Sequence, residues 1–409
     1  MRRACRHCGG TRLLPVIDLG ESPPSNAYPP VGTDPADEAA LPLRVVACED
    51  CWLVQTEDVI DRESLFAADY AYFSSFSTSW LAHAEAYVTR MVDELALGPD
   101  DLVVEVASND GYLLQYVLER GVRALGIEPT TGTAERAVER GVQTVTRFFG
   151  VELAEELAAD GVRPRLMVAN NVLAHVPDID DFVSGFRILL PTDGLVTFEF
   201  PHLLVLLRDG LYDTIYHEHY SYLSLGAVRT VLAANGLRVV DVEAIPTHGG
   251  SLRVSAARAD GPRDASPSVE RVVEDERRAG LFEPRGYAAL QGLADRTRDW
   301  LRTTLGDARD RGLGVSAYGA AAKGTTLLNH AGIDVSLLPT VVDRNPAKVG
   351  RQMPGTGIPI LEEPWLSASR PDLILILPWN LRREIAEQLA YTRDWGARLA
   401  VPLPTGEVW

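Results

Sequence analysis

Ten residues, Thr214 to Leu223, read TIYHEHYSYL and gather two histidines, a glutamate and three tyrosines in a chain that holds only eight histidines. A neutral imidazole with a pKa near about 6.5 can act as a general base at neutral pH. It can take a proton from carbon when a neighbouring carbonyl acidifies that proton, because the resulting charge moves onto oxygen as an enolate. A tyrosine hydroxyl or a protonated glutamate can then hold the enolate oxygen. Drawn as an extended strand, the stretch places His217 and His219 on one face and Tyr216, Glu218 and Tyr220 on the other. A metal site is a weaker reading, since H-x-H supplies two ligands and lacks the H-E-x-x-H spacing of a helical zinc site. The residue types point to proton abstraction from a carbon beside a ketone. Spacing alone does not choose between His217 and His219.

An electrophile for such a carbon is suggested further upstream. Leu102–Val106 reads as a buried strand, residues 107–111 as a small polar turn, and Tyr112–Glu119 as a helix. Further apolar stretches end near Glu128, Asn171 and Pro201. Strands alternating with helices predict a parallel sheet with its ligand at the carboxyl ends of the strands. The turn, Glu105-x-Ala107-x-x-x-Gly111, lacks the G-x-G-x-x-G that brings a pyrophosphate close to the backbone. An acid before the turn suits a cationic ligand without phosphate, and S-adenosylmethionine carries an ammonium and a sulfonium. The expected contacts are Glu105, Ala107, Asn109 and Gly111 around the turn, with Asp110 beside them. Glu128 is expected on the ribose hydroxyls and Asn171 on the adenosine or methionine part. His175 reads as a structural histidine.

All four cysteines fall in two pairs, Cys5-x-x-Cys8 and Cys48-x-x-Cys51. Two CxxC turns complete a tetrahedral S₄ shell for a structural zinc ion, and a closed shell leaves no open position for catalysis. Two disulfides do not fit a reducing compartment, and a redox CxxC normally occurs once.

The remaining chain must position these groups. Its 409 residues allow two or three domains. A net charge of −18 argues against a phosphate-tracking nucleic-acid surface. No apolar run is long enough to cross a membrane, and the basic N-terminus lacks the apolar core of a secretory signal, so a cytoplasmic protein is expected. Residues 271–311 read as linking helices. Strand and helix patterns resume at Gly312, where Gly319 and Gly324 bracket a turn bearing Lys323, a candidate counter-charge for a phosphate. Asp343 sits where a dinucleotide fold places its acid, so an NAD(P)-dependent sugar enzyme is a competing reading of this segment. A catalytically inactive zinc-containing nucleotide-binding protein is another.

Taken together, the motifs resemble the nucleotide-deoxysugar C-methyltransferases that act on dTDP-4-keto deoxysugars, of the mycarose and tetronitrose type. The resemblance runs through DYAYFSSFS from Asp69, EVASNDG, GIEP, ANNVLAHVPD, YHEHYSYLS, HGGSLR from His248 and YGAAAKG from Tyr318. It implies an α/β chain in three parts. These are a zinc-binding module (1–68), a class I S-adenosylmethionine methyltransferase domain of Rossmann-like form (69–258), and a helical link with a second Rossmann-like domain that helps hold the nucleotide sugar (259–409). It implies that His219 removes the C-3′ proton, with Glu218, Tyr216 and Tyr70 beside it. It places Tyr72, Glu199, His248, Lys323 and Asn380 on the substrate side, and implies a monomer. The chain departs from the family pattern at Ala107, where glycine is usual.

Overall fold

The computed structural model describes residues 4–57, 60, 65 and 73–409. Tyr70 and Tyr72 lie outside the described residues.

Among the described residues the chain builds three sheets. The N-terminal module contributes β1 (Leu13–Ser22), β2 (Leu41–Cys48) and β3 (Val54–Thr56), an antiparallel meander. The middle region runs β4 (Leu102–Val106), β5 (Arg123–Ile127), β6 (Thr144–Val145), β7 (Leu166–Asn170), β8 (Leu195–Pro201), β9 (Ser221–Tyr222), β10 (Leu237–Ile245) and β11 (Ser251–Arg258). All of these except β9 form one seven-stranded sheet ordered β10-β11-β8-β7-β4-β5-β6. Its strands are parallel except where β11 pairs antiparallel with both neighbours. Every residue of β4 and β7 is buried, as expected for central parallel strands covered on both faces.

The C-terminal region holds β12 (Val315–Tyr318), β13 (Val341–Asp343), β14 (Ile360–Glu362), β15 (Leu373–Ile376), β16 (Arg398–Val401) and β17 (Glu407–Val408). Their order is β14-β13-β12-β15-β16-β17, parallel until β17 closes the edge antiparallel. Both large sheets therefore reverse their winding between two central strands, β4 and β7 in one, β12 and β15 in the other. Ligands of open α/β sheets bind at the carboxyl ends of the strands at such switch points. Helices Pro267–Arg278 and Leu290–Asp310 join the two bodies, as the sequence predicts.

The strand β9 leaves the middle sheet and completes the N-terminal one, pairing antiparallel with β3 through Val54↔Tyr222 and Gln55↔Ser221. The apolar core follows the same path. One cluster joins Val45 and Ile17 of the first sheet to Tyr212, Leu327 and Ile374. Another joins Cys48 and Leu53 to Leu173, Phe186 and Leu223. The zinc-binding module is thus packed against both other parts.

Candidate active site

The two switch points open onto one cavity of about 370 Å³. Val106 at the end of β4, Ala107 and Asn109 just after it, Glu128 after β5, and Asn170 and Asn171 at the end of β7 form one side. Ala321, Ala322 and Lys323 after β12, with Pro378 and Asn380 after β15, form the other. Thr214, Tyr216 and His219 lie on the wall as well.

On the first side the backbone is bent sharply. Ala107, Asn109 and Gly111 all have positive φ, at 57°, 49° and 76°. A left-handed alanine is disfavoured by about 1–2 kcal/mol, so here the chain tolerates a residue that glycine would replace without cost to sterics. The bend presents the Asn109 N–H to Glu128 Oε2 at 2.9 Å, while Thr130 donates its N–H to Oε1 at 2.9 Å. Burial raises the Glu128 carboxyl above its ordinary range, and these hydrogen bonds counter it. Asn170 and Asn171 each keep a buried Oδ1 with no donor among the described residues. Two unsatisfied acceptors beside a carboxylate fit a ligand that brings ammonium and hydroxyl donors, as S-adenosylmethionine does.

Three expected contacts are placed elsewhere. Glu105 is fully buried within β4, with Tyr112 as its polar neighbour, and it does not line the cavity. Burial pushes its carboxyl well above the carboxylate range, so it is no simple counter-ion for an ammonium. Gly111 also lies behind the wall, where a Cβ would meet Val142 Cγ2 at 3.1 Å. Asp110 pairs with Arg140 at 3.0 Å and accepts from the Ser75 hydroxyl.

The histidine segment is a turn rather than a strand. The His219 N–H donates to the Tyr216 carbonyl at 2.9 Å, which closes residues 216–219 into a tight bend. Residues three apart now meet: the Tyr216 hydroxyl lies 2.9 Å from His219 Nε2, and the ring centroids are 4.0 Å apart. The predicted alternation therefore fails, because a bend breaks the period of two on which it rested. His217 points away and donates Nε2 to the Pro42 carbonyl at 3.3 Å. Glu218 also turns away from the cavity. It is fully buried, raised above its ordinary pKa by burial, and accepts from Asn26 Nδ2 at 3.2 Å.

His219 Nδ1 is 2.7 Å from the Thr214 carbonyl. A carbonyl only accepts, so Nδ1 carries the proton and Nε2 is left with its lone pair. Burial and the nearby His175 hold the imidazole well below its ordinary pKa, with Lys323 and His248 adding to the effect. His175, read from sequence as structural, stands on the cavity wall with its ring 4.5 Å from that of His219. The N-terminal sheet fixes this segment from behind. Thr56 donates Oγ1 to the His219 carbonyl at 3.1 Å and its N–H to the Tyr220 carbonyl at 3.1 Å.

His248 lines the cavity with positive φ at 54°. It accepts from Asn171 Nδ2 at 3.2 Å, and its ring is 5.3 Å from that of Trp80. Burial lowers its pKa to about 4. Glu199, expected on the substrate, is buried instead in a network with His83 at 2.9 Å, Arg253 at 3.0 Å and Thr247 at 2.9 Å. Burial would raise its pKa, but these partners outweigh burial and lower it. The network fixes the turn that carries His248. Sequence reasoning missed Trp80 and Asn26, both on the wall. An aromatic in an ordinary helix and a loop asparagine carry no motif that could have signalled them.

On the C-terminal side, Gly319 has φ 88°, and a Cβ there would lie 2.4 Å from Pro378. That close approach brings the two loops of the switch point together and sets Lys323 and Asn380 on one wall. Asp343 accepts from the N–H groups of Ala320 at 2.6 Å and Asn345 at 2.7 Å, so its carboxylate braces this loop rather than standing free for a ribose.

The four cysteine sulfurs lie within 4.8 Å of one another, with Cys5 and Cys51 at 3.5 Å and Cys8 and Cys48 at 3.6 Å. Zinc bonds of about 2.3 Å in a tetrahedron require sulfurs roughly 3.8 Å apart. The geometry fits a closed structural zinc site, and all four thiols are free of disulfides.

Comparison with known proteins gives three family matches along the chain. Residues 5–66 match the zinc-binding-domain model of a methyltransferase family, 80–242 a methyltransferase domain, and 246–404 the C-methyltransferase C-terminal domain. The chain is 35% identical over 404 residues to C-methyltransferase NovU of Streptomyces niveus, covering 99% of this chain and 96% of that protein. Among solved structures, magnesium protoporphyrin IX methyltransferase of Synechocystis with bound SAM is 16% identical, covering 50% of this chain and 100% of that one, at a TM-score of 0.35. The 1,6-didemethyltoxoflavin-N1-methyltransferase of Burkholderia thailandensis is 18% identical, covering 57% and 100%, at a TM-score of 0.37.

Proposed function

This chain belongs to the family of S-adenosylmethionine-dependent C-methyltransferases that includes NovU, and on that premise we propose that it methylates C-3′ of a dTDP-4-keto-6-deoxysugar with His219 as the general base. The observation that carries this reading is the tautomer of His219. With Nδ1–H given to the Thr214 carbonyl, the Nε2 lone pair is on the cavity wall, where it accepts from the Tyr216 hydroxyl at 2.9 Å.

In this reading the nucleotide sugar lies between the two switch points, with Lys323 and Asn380 on its C-terminal side and His248 on the other. His219 Nε2 takes the proton from the carbon next to the ketone. The C–H electron pair becomes part of the enolate, and the carbon gains nucleophilic character. Tyr216 orients the imidazole through its hydroxyl and can transfer that hydrogen bond to the sugar. Glu218 acts at one remove, by holding Asn26 on the wall. Asn171, Asn109 and Glu128 would hold S-adenosylmethionine, which supplies an electrophilic methyl group when bound. The surrounding aromatic and apolar wall excludes water from the reacting carbon. The substrate is a small molecule, and the protein acts as a monomer without nucleic acid.

The test is incubation with S-adenosylmethionine and a panel of dTDP-4-keto-6-deoxysugars bearing 3-hydroxy or 3-amino groups. A mass gain of one methyl, placed on C-3′ by NMR, is the expected result. No gain on any sugar while calorimetry shows the cofactor bound would overturn the substrate assignment.

A further inference from the structure

The helix Ala322–Ala331 of the C-terminal region docks on the segment that carries His219. Thr326 donates Oγ1 to the Ile215 carbonyl at 2.8 Å, between the residue that fixes His219 and the residue that touches its Nε2. Thr325 donates to the Ser25 carbonyl at 3.1 Å, and His330 Nδ1 meets the Tyr212 hydroxyl at 3.2 Å. Lys323 precedes Thr326 by three residues, so both share one helix face. The face docked on Ile215 therefore carries Lys323 into the cavity that Thr214, Tyr216 and His219 line.

The Lys323 ammonium is an unusual occupant of such a place. Its Nζ is closed off from solvent and has no hydrogen-bond partner among the described residues. It lies 5.2 Å from the centroid of Trp379. Its counter-charge is Asp213, fully buried, which spends Oδ2 on Trp379 Nε1 at 2.6 Å and keeps Oδ1 without a donor. Burial lowers the lysine pKa and Asp213 opposes that shift. A buried donor without an acceptor is costly unless a ligand supplies one. The other cations of the wall are already engaged, Arg147 with Glu156 and Lys348 with the Ala320 carbonyl at 2.7 Å.

We propose that Lys323 Nζ is a catalytic donor to the ketone oxygen beside the carbon that His219 deprotonates. The inference rests on the substrate reading given above. As the C–H bond breaks, its proton goes to His219 Nε2 and its electron pair forms the new C–C double bond. The carbonyl π pair moves onto oxygen, where the Lys323 N–H groups receive it. A lone desolvated ammonium matches one developing oxyanion, and the low dielectric strengthens the match where charge appears. Return of the pair to the carbonyl accompanies bond formation at carbon, and Lys323 ends as it began.

The experiment follows deuterium loss from a dTDP-4-keto-6-deoxysugar labelled at C-3′, with S-adenosylhomocysteine in place of the methyl donor. Wild-type protein is expected to exchange the label with solvent. Lys323→Met should slow exchange and methylation together by ~10²–10³-fold, with KM for the sugar changed only slightly and cofactor affinity retained by calorimetry. Lys323→Ala should regain exchange when methylammonium is added, and Lys323→Arg, which keeps the charge, serves if neither neutral variant folds. A raised KM with unchanged exchange at saturating sugar would make Lys323 a phosphate ligand and overturn the proposal. Absence of exchange and of methylation in the wild type would instead remove the substrate reading, and this inference with it.

Discussion

Thr56 of the zinc-binding module donates its hydroxyl to the carbonyl oxygen of His219 at 3.1 Å, so a residue five positions after Cys51 helps seat the proposed base. Together with the pairing of β3 and β9, this makes the module part of the active-site scaffold. Loss of zinc should therefore reach catalysis through geometry. Cys48→Ser is expected to lower zinc content and reduce turnover at least tenfold, roughly 1.4 kcal/mol, with cofactor affinity changed far less. Metal analysis, calorimetry and steady-state rates check it. Thr56→Val is the gentler version. It forfeits one hydrogen bond of about 1 kcal/mol and should lower kcat while zinc remains bound.

His219→Ala should abolish most turnover, a loss of ~10²–10⁴-fold, while S-adenosylmethionine affinity stays near wild type. Lost cofactor binding in a folded variant would contradict the assignment of His219 to the sugar side.

The pH profile of kcat/KM tests the state of the same imidazole. His175, Tyr216, Tyr222, Lys323 and His248 surround it, and burial above all, with the nearby His175, Lys323 and His248, lowers its pKa well below the ordinary value. In the proposed reaction the neutral form is the base. Activity should therefore stay flat as pH falls from 8 through about 6.5, and decline only below that. An acid limb centred at or above the ordinary histidine value would show that the ring is not shielded in this way.

Glu199 separates a structural from a substrate-binding role. Removing its carboxylate leaves Arg253 buried and only 6% exposed, with His83 and Thr247 also short of an acceptor. Glu199→Ala should cost about 3–5 kcal/mol in unfolding free energy, read from denaturant midpoints. A fully stable variant with a raised sugar KM would return Glu199 to the substrate.

Ala107→Gly should relieve the positive-φ strain after β4 and stabilise the middle domain by about 1 kcal/mol. Ala107→Val should do the reverse and weaken cofactor binding. Chemical denaturation and calorimetry read both.

Several features of this protein were legible from its residues alone. The two CxxC pairs needed no fold to announce an S₄ site, because a tetrahedral shell is a property of four thiolates and two tight turns. The strands near Leu102–Val106 and Arg123–Ile127 are continuous apolar runs that only a covered parallel sheet can bury, and Glu128 follows at the carboxyl end of the second. Motif resemblance preferred His219 over its neighbour. Tertiary structure decided the rest. Whether His217 or His219 faces the cavity depends on a backbone bend whose hydrogen bond, His219 N–H to Tyr216 carbonyl, leaves no trace in an alternating pattern. Glu105 and Glu199 look like ligands in sequence because they are acids at strand positions. Their burial beside Tyr112 and Arg253 is set by side chains 7 and 54 residues away. The placing of Lys323 and His219 on one cavity wall required two sheets from distant parts of the chain to turn their switch points toward one cavity. Local patterns specify elements through short-range sterics and hydrophobic period, whereas the chemistry here arises from contacts that only the packed chain can make.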